Sequence, residues 1–396
     1  MTISTLEDWQ RVAFNQPQLL SLAEACDAKD VSQVSKLRAK YDRQLLHLAL
    51  DLTAARRKGA IKFPHRAATL IADTVGLEQA SSMMVGLHKA KRIKQQSQSI
   101  TDLCCGIGGD AMAMSASGID VLGVDISPIK TWMTKQNAHC PVLCKDVRDL
   151  DLAKHDWHFD PARRGQTSRV WNFEDYIPGP DFLKKLLNAH PHGCLKLGPG
   201  VSLSVLDAFF QATGLPYEIE MIFEKHHLTQ ALVWTGKFAQ HHRRTATRLM
   251  EDGQAQQISG QQDYPPIANI QSYLYAINPA AERLRLEHLL CQKHHLASIH
   301  YDLGLLTSDR LIDDPFLTGF KFLEMLPWKQ NTKNLRKWLN AHDCKTVEVK
   351  TRDKLCNPDK VQQQLRGKKT NSQIYTLFIH RWGEKQRVII TQRLAQ

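Results

Sequence analysis

Asp102-Leu103-Cys104-Cys105-Gly106-Ile107-Gly108-Gly109-Asp110-Ala111 joins the end of a short apolar run, SITDL, to the start of a helical one. A glycine turn between strand and helix lets the backbone approach a ligand and aims a helix N-terminus at it. Gly106, Gly108 and Ala111 satisfy G-x-G-x-x-G/A, and Asp125 follows about 20 residues on, where a ribose-binding acid belongs. Two cofactors fit that spacing. A dinucleotide brings a pyrophosphate, which Asp102 before the turn and Asp110 in the first helical turn would repel. S-adenosylmethionine brings an ammonium and a sulfonium, which they would attract. A nicotinamide-dependent oxidoreductase therefore stands as the alternative to an S-adenosylmethionine enzyme.

Outward from the turn, SITDLCC, IDVLGVD, CPVLCKD, WHFDP, GCLKLGP, PYEIEMIF and TQALVWTG read as seven strands. Helical stretches at 109–118, 128–138, 181–190 and 201–212 separate most of them. The alternation predicts an α/β fold with a mostly parallel, Rossmann-like sheet covered by helices. The last two strands follow one another directly and should pair antiparallel. Four acids then fall in order at strand ends: Asp102, Asp125, Asp146 and Asp160. Open α/β sheets bind ligands at that edge. Asp125 would hold the ribose hydroxyls, Asp146 the adenine amine and Asp102 the methionine ammonium. Cys104, Gly106, Gly108, Ile126 and Val147 complete the candidate cofactor set.

The 396 residues predict two or three domains. Residues 1–95 read as helical, 96–250 as the α/β domain, 251–315 as linker and connector, and 316–396 as β-α-β-α-β-β. The polar tract EDGQAQQISGQQDYPP (251–266) is the best linker candidate. Charge is uneven along the chain: residues 1–95 hold 15 Lys+Arg against 9 Asp+Glu, and residues 320–396 hold 17 against 6, while the middle is net acidic. Basic flanks suit a polyanion. In the first flank Arg56, Arg57, Lys58 and Lys62, then Lys89, Lys91, Arg92 and Lys94, form two clusters. No run approaches the roughly 18 apolar residues of a membrane span, and Glu7 and Asp8 sit where a signal peptide needs positive charge, so a cytoplasmic location is expected. The nine scattered cysteines and adjacent histidine pairs give no disulfide framework or structural metal site.

DLCCGIGGDA, VLGVDISP, CKDVRDL, HFDPARRG, DYIPGPDFL, LKLGPG, ALVWTG, LLTSD and the tail FKFLEMLPW, LRKWL and VEVKTR together resemble class I S-adenosylmethionine-dependent methyltransferases with a C-terminal THUMP-like domain. The glycine loop is also similar to that of trimethylguanosine synthase, which methylates the exocyclic amine of a guanine. The resemblance implies a seven-stranded methyltransferase sheet, and implies RNA capture through the basic C-terminal unit, with Lys345, Lys350, Arg352, Lys354, Arg366, Lys368, Lys369 and Arg381 as phosphate contacts. One departure is Cys104, where the family usually has glycine. Amine-methylating relatives place an acid or amide, two prolines and an aromatic where this chain has Asp160-Pro161-Ala162-Arg163-Arg164. The Asp160 carboxylate and Pro161 carbonyl would then accept hydrogens from a target amine. Trp157, Trp171 or Tyr176 would replace the missing aromatic, or Arg163 and Arg164 would stack on a base or clamp a phosphate. The Lys196 to Gly200 loop could border the substrate. A methyltransferase acting on RNA, with the exocyclic amine of guanine as the specific target, is the expected function; a non-catalytic RNA-binding protein on a degenerate fold is a second alternative.

Overall fold

The computed structural model describes residues 4–28, 30–151, 155–163, 172–240, 243–301, 303–328, 332–352, 355–367, 370 and 372–394. It divides into two compact units, one of residues 1–224, 229–241 and 249–255, the other of 225–228, 242–248 and 256–396.

The first unit contains β1 (Ser99–Leu103), β2 (Asp120–Asp125), β3 (Val142–Cys144), β4 (Trp157–Phe159), β5 (Gly193–Leu197), β6 (Tyr217–Glu224) and β7 (His227–Thr235). Their order across the sheet is β6-β7-β5-β4-β1-β2-β3. Pairing is parallel from β5 through β3, and β7 lies antiparallel against β5. The helices α3 (Gly109–Ala116), α4 (Pro128–Ala138), α5 (Pro180–Ala189) and α6 (Leu203–Thr213) fall within a residue or two of the predicted stretches. Their caps explain the agreement. Pro128 and Pro180 sit in first turns, where a missing N–H costs nothing, and Gly214 ends α6 at φ +69°. β5 and β6 are buried along their whole length, including Lys196 of β5 and Glu218, Glu220 and Glu224 of β6.

The N-terminal helices belong to the same unit. Leu19 and Ala23, Leu45 to Ala55 of α1 (Arg43–Gly59), and Val85, Ala90 and Ile93 of α2 (Met83–Lys94) share one core with Ile100, Val121, Trp132 and Trp234.

Most cations of the two basic clusters are paired within the unit, although Arg57, Lys58, Lys91 and Lys94 remain exposed. Arg57 donates to the carbonyls of Ala23, Glu24 and Cys26, and Lys62 to those of Leu77, Glu78 and Ala80. Arg56 meets Glu24 and the Leu70 carbonyl, Lys58 meets Glu78, and Lys94 meets the Ser117 carbonyl. Lys89 and Arg92 are buried. Helix ends leave carbonyls unpaired, and long cationic side chains from neighbouring helices are satisfying them here.

The second unit holds a seven-stranded sheet. Its strands are β8 (Tyr273–Ile277), β9 (Ala297–Ser298), β10 (Leu305–Ser308), β11 (Leu317–Pro327), β12 (Cys344–Thr351), β13 (Gln373–Trp382) and β14 (Lys385–Arg393), in the order β9-β10-β8-β11-β14-β13-β12. With α7 (Lys333–Ala341) and α8 (Pro358–Gln364), the tail follows β-α-β-α-β-β. The stretch expected to connect domains instead supplies three strands of this sheet, with β8 pairing β11 over five residues. The polar tract at 251–266 carries the strand Ala255–Gly260, whose first three residues are exposed. A largely solvated strand needs no apolar alternation, so the sequence pattern did not reveal it. Two apolar clusters cover the sheet: Leu377 and Ile379 enter one with Leu335, Leu339 and Val361, and Phe378 enters the other with Leu274 and Phe320. Among the described residues no helix is long and apolar enough to cross a membrane.

Candidate active site

A cleft of about 530 Å³ opens at the C-terminal edge of the first sheet. Asp102, Cys104, Gly106, Asp125, Asp160, Pro161 and Arg163 all line it, so the acids near the ends of β1 and β2 and just after β4 converge as strand-end geometry demands. Gly108 begins α3 instead. At φ +83° a Cβ there would meet Thr134 of α4 at 3.0 Å, so this glycine serves helix packing. Gly106, at φ +57°, would point a Cβ into open space. Cys104 also has positive φ, +61°, the physical reason that glycine suits this position; burial and the nearby Asp125 and Asp160 carboxylates raise its thiol and keep it protonated.

Ile126, Asp146 and Val147 are not part of this lining. Ile126 is exposed, Val147 is buried, and Asp146 caps a short turn through the Arg148 amide while its carboxyl is pushed down to about 2 by hydrogen bonds from Arg148. Arg164 and Trp171 lie outside the described residues. Of the other two aromatics, Trp157 is buried in the core. Tyr176 lines the cleft, its hydroxyl accepting from the Gly198 amide at 2.9 Å.

Beneath the glycine turn lies a buried polar chain that the sequence reading did not anticipate. Asp102 and His158 are register partners on the parallel strands β1 and β4, so their side chains share a face. His158 Nδ1 sits 2.7 Å from Asp102 Oδ1, and its Nε2 lies 3.2 Å from the Lys89 ammonium. A lysine can only donate, which assigns Nε2 as acceptor and Nδ1–H as donor to Asp102. Lys89 also donates to Ser81 Oγ at 3.2 Å and is ion-paired with Asp110 Oδ1 at 2.5 Å. Asp110 is therefore neutralised from behind by α2. Burial alone would raise its carboxyl, but Lys89 outweighs that and leaves it well below the ordinary range. Paired with Lys89, Asp110 does not repel a pyrophosphate as a bare carboxylate would.

Asp102 keeps its other oxygen. Oδ2 is buried without a hydrogen-bond partner in a residue that lines the cleft, and burial raises this carboxyl above the ordinary range although His158 opposes it. An orphaned carboxylate oxygen is the acceptor an ammonium requires. Asp125 accepts from the Gly106 amide at 3.0 Å and the Ser127 amide at 2.9 Å, which fixes its carboxylate while each oxygen retains lone pairs for ribose hydroxyls. The residues present therefore fit S-adenosylmethionine.

At the other end of the cleft, Asp160 Oδ2 is 2.5 Å from the buried Lys196 ammonium, which also donates to the Gln79 carbonyl at 3.1 Å. Burial would lower Lys196, yet Asp160 and Asp110 raise it above its usual value, so it remains a cation. The segment Gly76 to Ser81 supplies part of this wall. Only an indirect signal marked it: α2 places Lys89 on the same stripe as Val85 and Ile93, and a cation on an apolar stripe implies a buried acid opposite.

Comparison with known proteins agrees with this architecture. Residues 317–393 match the family described as THUMP domain-like. Over 305 residues the chain is 27% identical to an uncharacterized S-adenosylmethionine-dependent methyltransferase of Mycobacterium tuberculosis, represented in strains CDC 1551 and H37Rv, an alignment spanning 73% of this chain and 79% of the relative. A crystal structure of a candidate methyltransferase from Porphyromonas gingivalis W83 superposes with a TM-score of 0.72 over 96% of this chain and 99% of that one, at 16% identity, which establishes the shared fold. The chain is a class I S-adenosylmethionine-dependent methyltransferase that carries a C-terminal THUMP-like domain.

Proposed function

We propose that this cleft methylates RNA, and specifically an exocyclic amine such as that of guanine. The observation that supports this most is the placement of Asp160 and Pro161 in one cleft with the glycine turn, Asp102 and Asp125. Asp125 holds the ribose and Asp102 Oδ2 the methionine ammonium. When bound, S-adenosylmethionine supplies a methyl group on a sulfonium, already a good leaving group. The protein's task is alignment of the two reactants. Asp160, anchored through Oδ2 by Lys196, presents Oδ1 to one amine hydrogen, and the Pro161 carbonyl accepts the other, so the nitrogen lone pair faces the methyl carbon. Lys196 donates to a neighbouring carbonyl of the base, and Tyr176 offers the ring that the sequence otherwise lacks. A cation beside the methyl site disfavours a protonated amine such as a lysine, which favours a nucleobase over a protein side chain. Arg163, at the mouth, is placed to meet a phosphate.

The oxidoreductase alternative loses support from topology. Dinucleotide-binding sheets are doubly wound and parallel, whereas β7 here is antiparallel and inserted between β5 and β6.

Two substitutions separate the roles. Asp125→Ala should weaken S-adenosylmethionine binding roughly 10- to 150-fold, the value of a charge-assisted contact. Asp160→Ala should leave that affinity unchanged in calorimetry and abolish transfer of labelled methyl to RNA. Full activity in Asp160→Ala would remove the methyl-transfer site from this position.

A further inference from the structure

Most cations of the first unit's two basic clusters are paired within it, and in the second unit two tyrosines stand out. Tyr264 and Tyr301 are 69% and 56% exposed, although a tyrosine ring is costly to leave in water. They meet edge to face, with centroids 5.6 Å apart and planes at 82°. Together they line a cleft of about 420 Å³ with Arg283, Arg285 and Arg352. Tyr301 also lines a second cleft, of about 520 Å³, with His300, Ile267 and Trp382. The His300 and Trp382 rings are themselves in edge contact at 6.2 Å. Tyr301 is thus shared between two adjoining hollows, each with a second aromatic. Arg283 and Arg285 are exposed beside the first.

We propose that this paired cleft is a binding site for single-stranded RNA, in which unstacked bases lie on Tyr264, Tyr301 and Trp382 and the intervening phosphates meet Arg283 and Arg285. Every base has a π face, so exposed rings capture a strand with little sequence demand, and arginines beside them follow its backbone. A duplex would bury its base faces within its own stack and leave the rings without a partner. Asp263, Glu282 and Glu287 share the first wall, and Glu282 is ion-paired with Arg352, so the phosphates are assigned to Arg283 and Arg285. Most of these residues precede the segment that matches the THUMP domain-like family, so the site extends RNA capture beyond that domain. The proposal rests on RNA being the substrate.

The test is fluorescence anisotropy of a labelled 12-nucleotide single-stranded RNA of mixed sequence with the full chain. The Tyr264→Ala/Tyr301→Ala variant should bind more weakly by roughly 5- to 140-fold per lost base, while Tyr264→Phe/Tyr301→Phe keeps the wild-type affinity, since the ring and not the hydroxyl stacks. Arg283→Glu/Arg285→Glu should lower the slope of log affinity against log salt by roughly 1.4. Wild-type circular dichroism and thermal unfolding of the full chain show that each variant is folded. Equal RNA affinity in wild type and the double alanine variant would overturn this site and leave the RNA substrate standing. Absence of RNA binding by the wild type would overturn both.

Discussion

The charge on Asp102 is the residue on which cofactor binding turns. Burial raises its carboxyl, so on acidification it takes up a proton at a higher pH than an exposed aspartate would. A raised folded-state value means that the ionised form costs the fold stability above the unfolded value, and an ammonium on Oδ2 recovers that cost. S-adenosylmethionine affinity should therefore fall as pH drops through the raised value, and calorimetry of Asp102→Asn should show a weaker affinity without that fall. A second outcome belongs to Gly106. A methyl group there meets nothing within 4 Å in the protein, so Gly106→Ala should cost only the roughly 1 to 2 kcal/mol of a left-handed alanine, while cofactor affinity drops more steeply because the methyl occupies the cleft. That Asp102, Asp125 and Asp160 share one cleft was legible because strand ends are marked by the switch from apolar runs to glycine, serine or proline. His158 was not legible. A histidine between Trp157 and Phe159 acquires meaning only when strand register sets it beside Asp102, and register is not written in one strand's sequence.

At the scale of elements, α2 does the most unexpected work. Besides Lys89, it sends Arg92 to Glu218 and over the Trp234 ring, with 4.4 Å to the centroid, and places His88 Nε2 2.8 Å from Glu220. Ser82, its cap, donates to Glu224 at 2.8 Å. Three acids of β6 are thus satisfied by one helix. Breaking such a buried pair leaves a charge without a partner. Lys89→Met should destabilise the protein by about 3 to 5 kcal/mol in denaturant unfolding, and adding Asp110→Asn should recover much of that loss. A small change in Lys89→Met alone would mean that the pair is open to water. Helix periodicity showed that α2 exists, but composition scored its cations as surface charge.

Across the whole molecule, net charge is a poor guide to where a polyanion would sit. In the N-terminal region Arg56, Arg57, Lys58, Lys62, Lys89, Arg92 and Lys94 meet carbonyls or carboxylates, while Lys91 is exposed. In the C-terminal unit Lys350 pairs with Glu348 and Arg352 with Glu282, while Lys345, Arg366 and Arg381 are exposed; Lys354, Lys368 and Lys369 lie outside the described residues. Lys345→Glu and Arg366→Glu should each reduce the salt slope of RNA binding by roughly 0.7, and Lys91→Glu in α2 should leave it unchanged. The β-α-β-α-β-β order was legible because alternating apolar residues mark strands one at a time. That β8 to β10 share their sheet was not, since pairing joins residues far apart in the chain.

The most direct measurement is transfer of labelled methyl from S-adenosylmethionine to total cellular RNA by the full-length protein, with the product divided between ribonuclease-treated and untreated samples. The account predicts incorporation that ribonuclease removes, that is absent from Asp160→Ala, and that nucleoside analysis places on an exocyclic amine. Label that survives ribonuclease, or that appears with Asp160→Ala, would contradict it.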